Sequence, residues 1–265
     1  MLDGSSLERL EALVAIGFKK GSRGNPMKRF CLLMAVFLLS PSLGLAGRAS
    51  CFHDFAQVGD GGGIRTLILI TTQNSDEAIV QIRLIKPDGS SLQVDLGAET
   101  NSSFQVRIPP GGTIQLATAG DSDPPQRGWA RLISSEAVGA QVLFEIRAEN
   151  QLVTQAAVES SGALRTAVVF VSQDAQGSRS GVAIANLADA GSTRVQLTLK
   201  NKAGETVATR SLNLPLLGQE AKFISELFDD IETFRGTLCI KASSRITTVA
   251  LQQTGLVLGS LPPVF

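Results

Sequence analysis

The chain has 265 residues with 24 basic and 24 acidic side chains, three cysteines, one histidine, one tryptophan and no tyrosine. No basic patch stands out, so a nucleic-acid or anionic-membrane partner has no electrostatic support. One histidine argues against hydrolases built on a histidine base and against zinc sites, which draw on several His or Cys ligands.

In chain order, the first informative stretch is MKRFCLLMAVFLLSPSLGLA at 27–46. Lys28 and Arg29 give a positive start, residues 30–39 an unbroken apolar run, and Ser40-Pro41 a break. Gly44-Leu45-Ala46 offers small residues before a cut. This is the layout of a secretory signal cleaved after Ala46, with Met27 the expected start and residues 1–26 an over-extended reading frame or a basic lead-in. The apolar run is half the roughly 20 residues that a membrane helix needs, so the mature chain is expected to lack a transmembrane span. Removing 1–46 takes six of the 24 basic and three of the 24 acidic residues, leaving 18 against 21, a net charge near −3.

Cys51 follows Arg48-Ala49-Ser50, whose arginine stands where a lipid-anchor signal wants leucine, so lipidation is not expected. With Cys31 lost in the signal, Cys51 and Cys239 remain in a compartment where disulfides persist. They are candidates for a bond that requires Cα atoms within about 7 Å. His53 falls in the short segment after the signal, where a surface role is expected rather than a catalytic one. Asp60-Gly61-Gly62-Gly63 is followed by IRTLILI, a strand rather than the helix that a phosphate-cradling loop needs, so it reads as a turn.

The middle of the chain repeats itself. VQIRLIKPDG at 80–89 matches VQLTLKNKAG at 195–204, with Val80, Ile82 and Leu84 aligned to Val195, Leu197 and Leu199. Strict alternation marks half-buried strands, and Pro87, Asp88 and Gly89 are turn residues for separate physical reasons, so each copy reads as a β-hairpin. GAETNSS at 97–103 reads as an insertion in the first copy. IPPGG at 108–112 corresponds to LPLLG at 214–218, and RGWARLISSEAVGAQVLF at 127–144 to RGTLCIKASSRITTVALQ at 235–252. The order of the matches points to a tandem duplication. Short strands between turn signals predict an all-β fold of two immunoglobulin-like β-sandwich domains, 52–160 and 165–265, joined by SSGA at 160–163. AKFISELFDD at 221–230 predicts one or two helical turns with Phe223, Leu227 and Phe228 on one face.

FAQVGDGGGIRTLILIT (55–71), IPPGGTIQLATAG (108–120), GWARL (128–132) and LPLLGQEAKFISELF (214–228) resemble a tandem domain family of exported proteins from acidobacteria and their neighbours. The resemblance covers nearly all of 52–265 and implies an extracytoplasmic pair of β-sandwiches. No catalytic residues of that family carry over.

Other chemistry is sparse. GSRSG at 177–181 has Arg179 where a nucleophile elbow needs serine. Asp121/Asp123 and Asp229/Asp230 are paired carboxylates without the regular spacing of a calcium loop. Trp129 points, on strand parity, away from the core shared by Ala130 and Leu132, which suggests a contact with the other domain or with a partner. No catalytic, cofactor-binding or metal-binding residues are assigned. The expected function is a non-catalytic exported interaction, adhesion or spacer module, periplasmic, surface-held or secreted, whose partner is a protein or an envelope polymer. A carbohydrate-binding module is the alternative, although flat Trp and Tyr platforms are scarce. A hydrolase using carboxylates alone is a third reading, and it needs two carboxyl groups about 5 to 9.5 Å apart.

Overall fold

A computed structural model describes residues 51–97, 99–149, 151–229 and 231–264. The expected signal segment and the expected cleavage site after Ala46 lie outside the described residues. The first half contains β1 (Cys51–Asp60), β2 (Ile64–Thr71), β3 (Ala78–Ile85), β4 (Val94–Leu96) and β5 (Glu99–Asn101). It continues with β6 (Ser103–Ile108), β7 (Thr113–Ala117), β8 (Gln126–Ser134), β9 (Gly139–Ala148) and β10 (Gln151–Glu159). The second half contains β11 (Leu164–Gln173), β12 (Ser178–Asn186), β13 (Thr193–Asn201), β14 (Thr206–Leu214) and β15 (Gln219–Phe223). There follow a one-turn helix α1 (Ile224–Leu227), β16 (Phe234–Thr254) and β17 (Val257–Leu261).

The fold is all-β, built from several antiparallel sheets in sandwich fashion. In the first half the strand orders are β1-β8-β3-β6 and β10-β9-β2-β7. In the second half β16, 21 residues long, serves two faces. Its residues 234–242 pair with β11 and β13, and its residues 246–254 pair with β12 and β17. The orders β11-β16-β13-β14 and β17-β16-β12-β15 therefore reproduce those of the first half, with one continuous strand in place of β8 and β9. Val80 and Val195 are both fully buried in corresponding central strands.

Two shared motifs have a shared physical cause. A Cβ on Gly128 would lie 2.0 Å from the Ile85 carbonyl oxygen, and one on Gly236 would lie 2.1 Å from that of Lys200. The Arg-Gly pair that opens β8 and recurs in β16 is thus the point where the end of the neighbouring strand presses against the backbone. The 109–112 and 215–218 turns also close alike: Gly112 N donates to Pro109 O (2.8 Å) and Gly218 N to Pro215 O (2.9 Å).

Two local expectations differ from the structure. β13 and β14 form the expected hairpin, whereas β3 pairs with β6 because the β4–β5 hairpin stands between them. At 221–230, β15 runs through Phe223 and only Ile224–Leu227 is helical. Phe223 N donates to Glu226 Oε2 (2.8 Å) at the strand-to-helix junction.

Among the described residues no strand ladder joins the two halves across 160–163, yet the core does. The largest buried cluster joins Phe55, Ala56 and Val58 of β1 and Ala156 and Val158 of β10 to Ala183, Ala221, Phe223, Val249, Leu251 and Leu258 of the second half. A second cluster lies inside the second half around Val195, Leu197, Leu238 and Ile240. β1 is an edge strand of its sheet, yet residues 54–60 are buried without alternation because its outer side lies against β12 and β16.

Candidate functional site

The described surface is organised by the junction between the halves, which is built from turns. Lys86-Pro87-Asp88-Gly89 closes β3, and Asp88 Oδ1 accepts from Ser90 N (2.9 Å) and Ser90 Oγ (2.6 Å). The Ser90 hydroxyl, then its backbone N–H, hold the Asp88 carboxyl below its ordinary pKa. This turn meets the 215–219 segment. Pro87 O accepts from Gln219 N (2.9 Å), and a Cβ on Gly89 would lie 2.1 Å from Leu216 O. Gly89 serves both its own turn, at φ +87°, and the close approach of the other half.

Trp129 completes this contact. It is 0 % exposed, and its Nε1–H donates to Leu217 O (2.8 Å). Ile85, Ala185, Leu187 and Leu217 surround it. Leu217 holds φ +56°, a left-handed conformation uncommon for a residue with a Cβ. Beneath it, the buried Gln219 Nε2 donates to Ala56 O, Gln57 Oε1 and Gly128 O. At the linker, Thr247 Oγ1 donates to Asp54 O (3.0 Å), Asp54 N to Ser160 Oγ (3.0 Å) and Thr248 N to Ser161 Oγ (3.0 Å). The Asp54 carboxylate pairs with Arg131 (2.7 Å). Burial pulls the Arg127 guanidinium below its ordinary pKa, opposed by the Glu220 and Glu226 carboxylates across the junction.

A cleft of about 560 Å³ opens beside the linker. Gln141, Glu159, Ser161 and Ser260 supply polar groups to it, with Val249, Pro262 and Pro263 as apolar wall. A second depression of about 470 Å³ holds Arg65 and Arg147. Arg65 Nε donates to Thr118 O (2.8 Å), and Arg147 Nη1 pairs with Glu145 (3.0 Å).

The structure disperses most of the residues singled out from the sequence. Cys51 and Cys239 are free thiols, so the candidate disulfide is not formed. Cys51 sits at the start of β1 opposite Ser134, whereas Cys239 lies mid-sheet between Val168 and Thr198 of the second half. His53 is a half-buried residue of β1 rather than a surface one, and its Nε2–H donates to Val138 O (2.9 Å). Asp121, Asp123 and Asp229 are exposed; Asp230 is not among the described residues. The 61–63 glycines form the β1–β2 turn, all at positive φ. Asp60 clamps that turn by accepting from Gly120 N (2.6 Å), Ser122 N (3.2 Å) and Ser122 Oγ. Trp129 faces away from its own core as parity required, but it is sealed inside the chain and offers no surface to an outside molecule.

Among the described residues no group of three or more His, Cys, Asp or Glu could hold a metal ion, and no helix is long and apolar enough to cross a membrane. Gln219 and Leu217 were not singled out from the sequence, and Gly89 was read only as a turn residue. The one available signal was Leu217, which stands where the first copy has Gly111 at φ +65°. No protein-family model matches the chain, and no curated protein is similar to it.

Proposed function

We propose that this is a non-catalytic exported protein that acts as a rigid interaction and spacer module at the cell envelope. The observation that carries the reading is the junction: one buried cluster and a set of buried hydrogen bonds span both halves. A linker that only tethered two mobile units would not need Trp129 or Gln219 held by the opposite half. Two sandwiches fixed to each other present sheet faces at a constant separation, which suits a spacer. The sole histidine and the Asp54–Arg131 pair serve internal contacts, which fits a structural role for these groups.

The test has two parts. Expression from Met27 in a secreting host should give an exported chain whose first residue is Gly47. Residues 47–265 should then cosediment with envelope fractions of the native cell. Failure to bind any envelope fraction would overturn the interaction reading, and turnover of a glycoside substrate would overturn the non-catalytic one.

The carbohydrate alternative draws on the linker cleft, where amide, carboxylate and hydroxyl groups lie beside two prolines. Retention on insoluble polysaccharide that Glu159→Ala abolishes would favour it.

A further inference from the structure

Inside the chain, one half docks on the other through non-identical faces. The first half contributes the side bounded by its edge strands β1 and β10. The second contributes the outer face of β15-β12-β16-β17, with Ala183, Phe223, Val249 and Leu251 in the shared core. Because the strand orders repeat, each half also carries the counterpart of the face that its sister uses. In a single chain β10 and β17 already pack on each other, and Leu258 N donates to Thr154 Oγ1 there, whereas β11 on one counterpart and β7, β2 and β9 on the other lie beyond that contact.

Both are apolar. On the second half, β11 and β17 correspond to β1 and β10. Along them lie Phe170 (40 % exposed), Val257 (68 %) and, bridged to Val168, Val264 (62 %). On the first half, the counterpart of the docked face is the outer side of β7-β2-β9-β10. There Ala117, Leu67, Leu143 and Ala157 form one cross-strand row, with Leu69 beside it. This row is the register equivalent of Phe223, Gly181, Leu251 and Ser260 in the second half. Leu67 is buried but belongs to neither core cluster, and Leu69 and Leu143 beside it are half-buried.

We infer that the chain associates head to tail with further copies of itself, the β11/β17 side of one seated on the β2/β9 outer face of the next. This rests on the reading of the chain as an interaction module and names a second copy as the partner. The contact is heterologous, so it does not close on itself by a two-fold axis and extends into a linear array. It is weaker than the contact within the chain. Thr237 stands where Trp129 does, Gly111 where Leu217 does, and Thr113 where Gln219 does, so the buried tryptophan and amide contacts are not repeated. The linker also raises the local concentration of the two halves, an advantage that separate copies lack. Reversible, concentration-dependent assembly is the expected behaviour.

Sedimentation velocity on residues 47–265 tests this. The wild type should show a weight-average mass that at least doubles with rising concentration and reaches no fixed end point. Phe170→Asp and Leu143→Asp should each be monomeric. Mixed in equal amounts they should form a heterodimer that grows no further, because each supplies the face that the other has lost. A wild type that stays monomeric, single variants that still assemble, or a mixture that does not pair would each overturn the inference. Circular dichroism checks folding, and Val257→Asp with Leu69→Asp replaces any variant that fails it. A monomeric wild type that still cosediments with envelope would defeat this inference alone; assembly without envelope binding would defeat only the functional reading.

Discussion

Replacing Gly89 by alanine, with Gly204→Ala as its matched control, isolates the contribution of the junction. The two glycines end corresponding turns at φ +87° and +81°, so alanine meets the same left-handed penalty at both, about 1 kcal/mol. They differ in what surrounds them: the new methyl at 89 would lie 2.1 Å from Leu216 O, and at 204 it meets nothing within 4 Å. Relief of that overlap forces the 86–89 turn away from the second half. The retreat strains the bonds from Gln219 N to Pro87 O and from Trp129 Nε1 to Leu217 O. Overpacking costs about 1–3 kcal/mol, and each weakened hydrogen bond adds about 1 kcal/mol. Gly204→Ala should therefore lose about 1 kcal/mol and Gly89→Ala about 4–6 kcal/mol. For a chain of this length these correspond to falls in Tm of roughly 2–4 °C and 8–24 °C. Thermal unfolding followed by circular dichroism gives the losses. Emission from Trp129, the sole tryptophan, should shift to the red in Gly89→Ala alone. Equal losses at the two sites, with unshifted emission, would refute the turn-on-turn contact.

Three further outcomes follow from the same geometry. Trp129→Phe keeps the ring but leaves Leu217 O without its donor, and should cost about 1–2 kcal/mol in urea unfolding. Gly128→Ala and Gly236→Ala should destabilise the chain by similar amounts, about 2–3 kcal/mol each, because both meet a strand carbonyl at about 2 Å; thermal melts of the two variants compare them directly. The Asp88 carboxyl, held below its ordinary pKa by Ser90, contributes stability that is present above the unfolded value of about 3.9 and is lost as pH falls below it. Asp88→Asn should flatten that acid limb of the Tm–pH curve, by a small amount because the turn is solvent-exposed.

Much of the fold was legible from alternation. Val80, Ile82 and Leu84, and their counterparts Val195, Leu197 and Leu199, face the core because a strand repeats every two residues and water accepts only one face. The turns at 86–89 and 201–204 were legible from residues with local causes, and the 97–103 insertion falls at the β4–β5 hairpin that separates β3 from β6. Strand parity also turned Trp129 away from its own core. What parity cannot supply is the surface waiting on the other side. Gln219 resembles any polar residue of a strand until Ala56, Gln57 and Gly128 are brought to it from 91 to 163 positions away in the sequence. Gly89 has a sufficient reason in its own turn, which conceals its second one. The free cysteines follow the same rule: sequence pairs residues by type, whereas β1 and β16 place these two in different sheets.

Equilibrium urea unfolding of residues 47–265, read at once by Trp129 emission and by far-ultraviolet circular dichroism, bears most directly on whether the two halves form one interlocked body. Trp129 senses the junction, and dichroism senses the strands of both halves. Coincident curves with a single midpoint are predicted. Emission that changes at lower urea than the dichroism, with the strands of either half persisting after Trp129 is exposed, would contradict a rigid pair and with it the spacer.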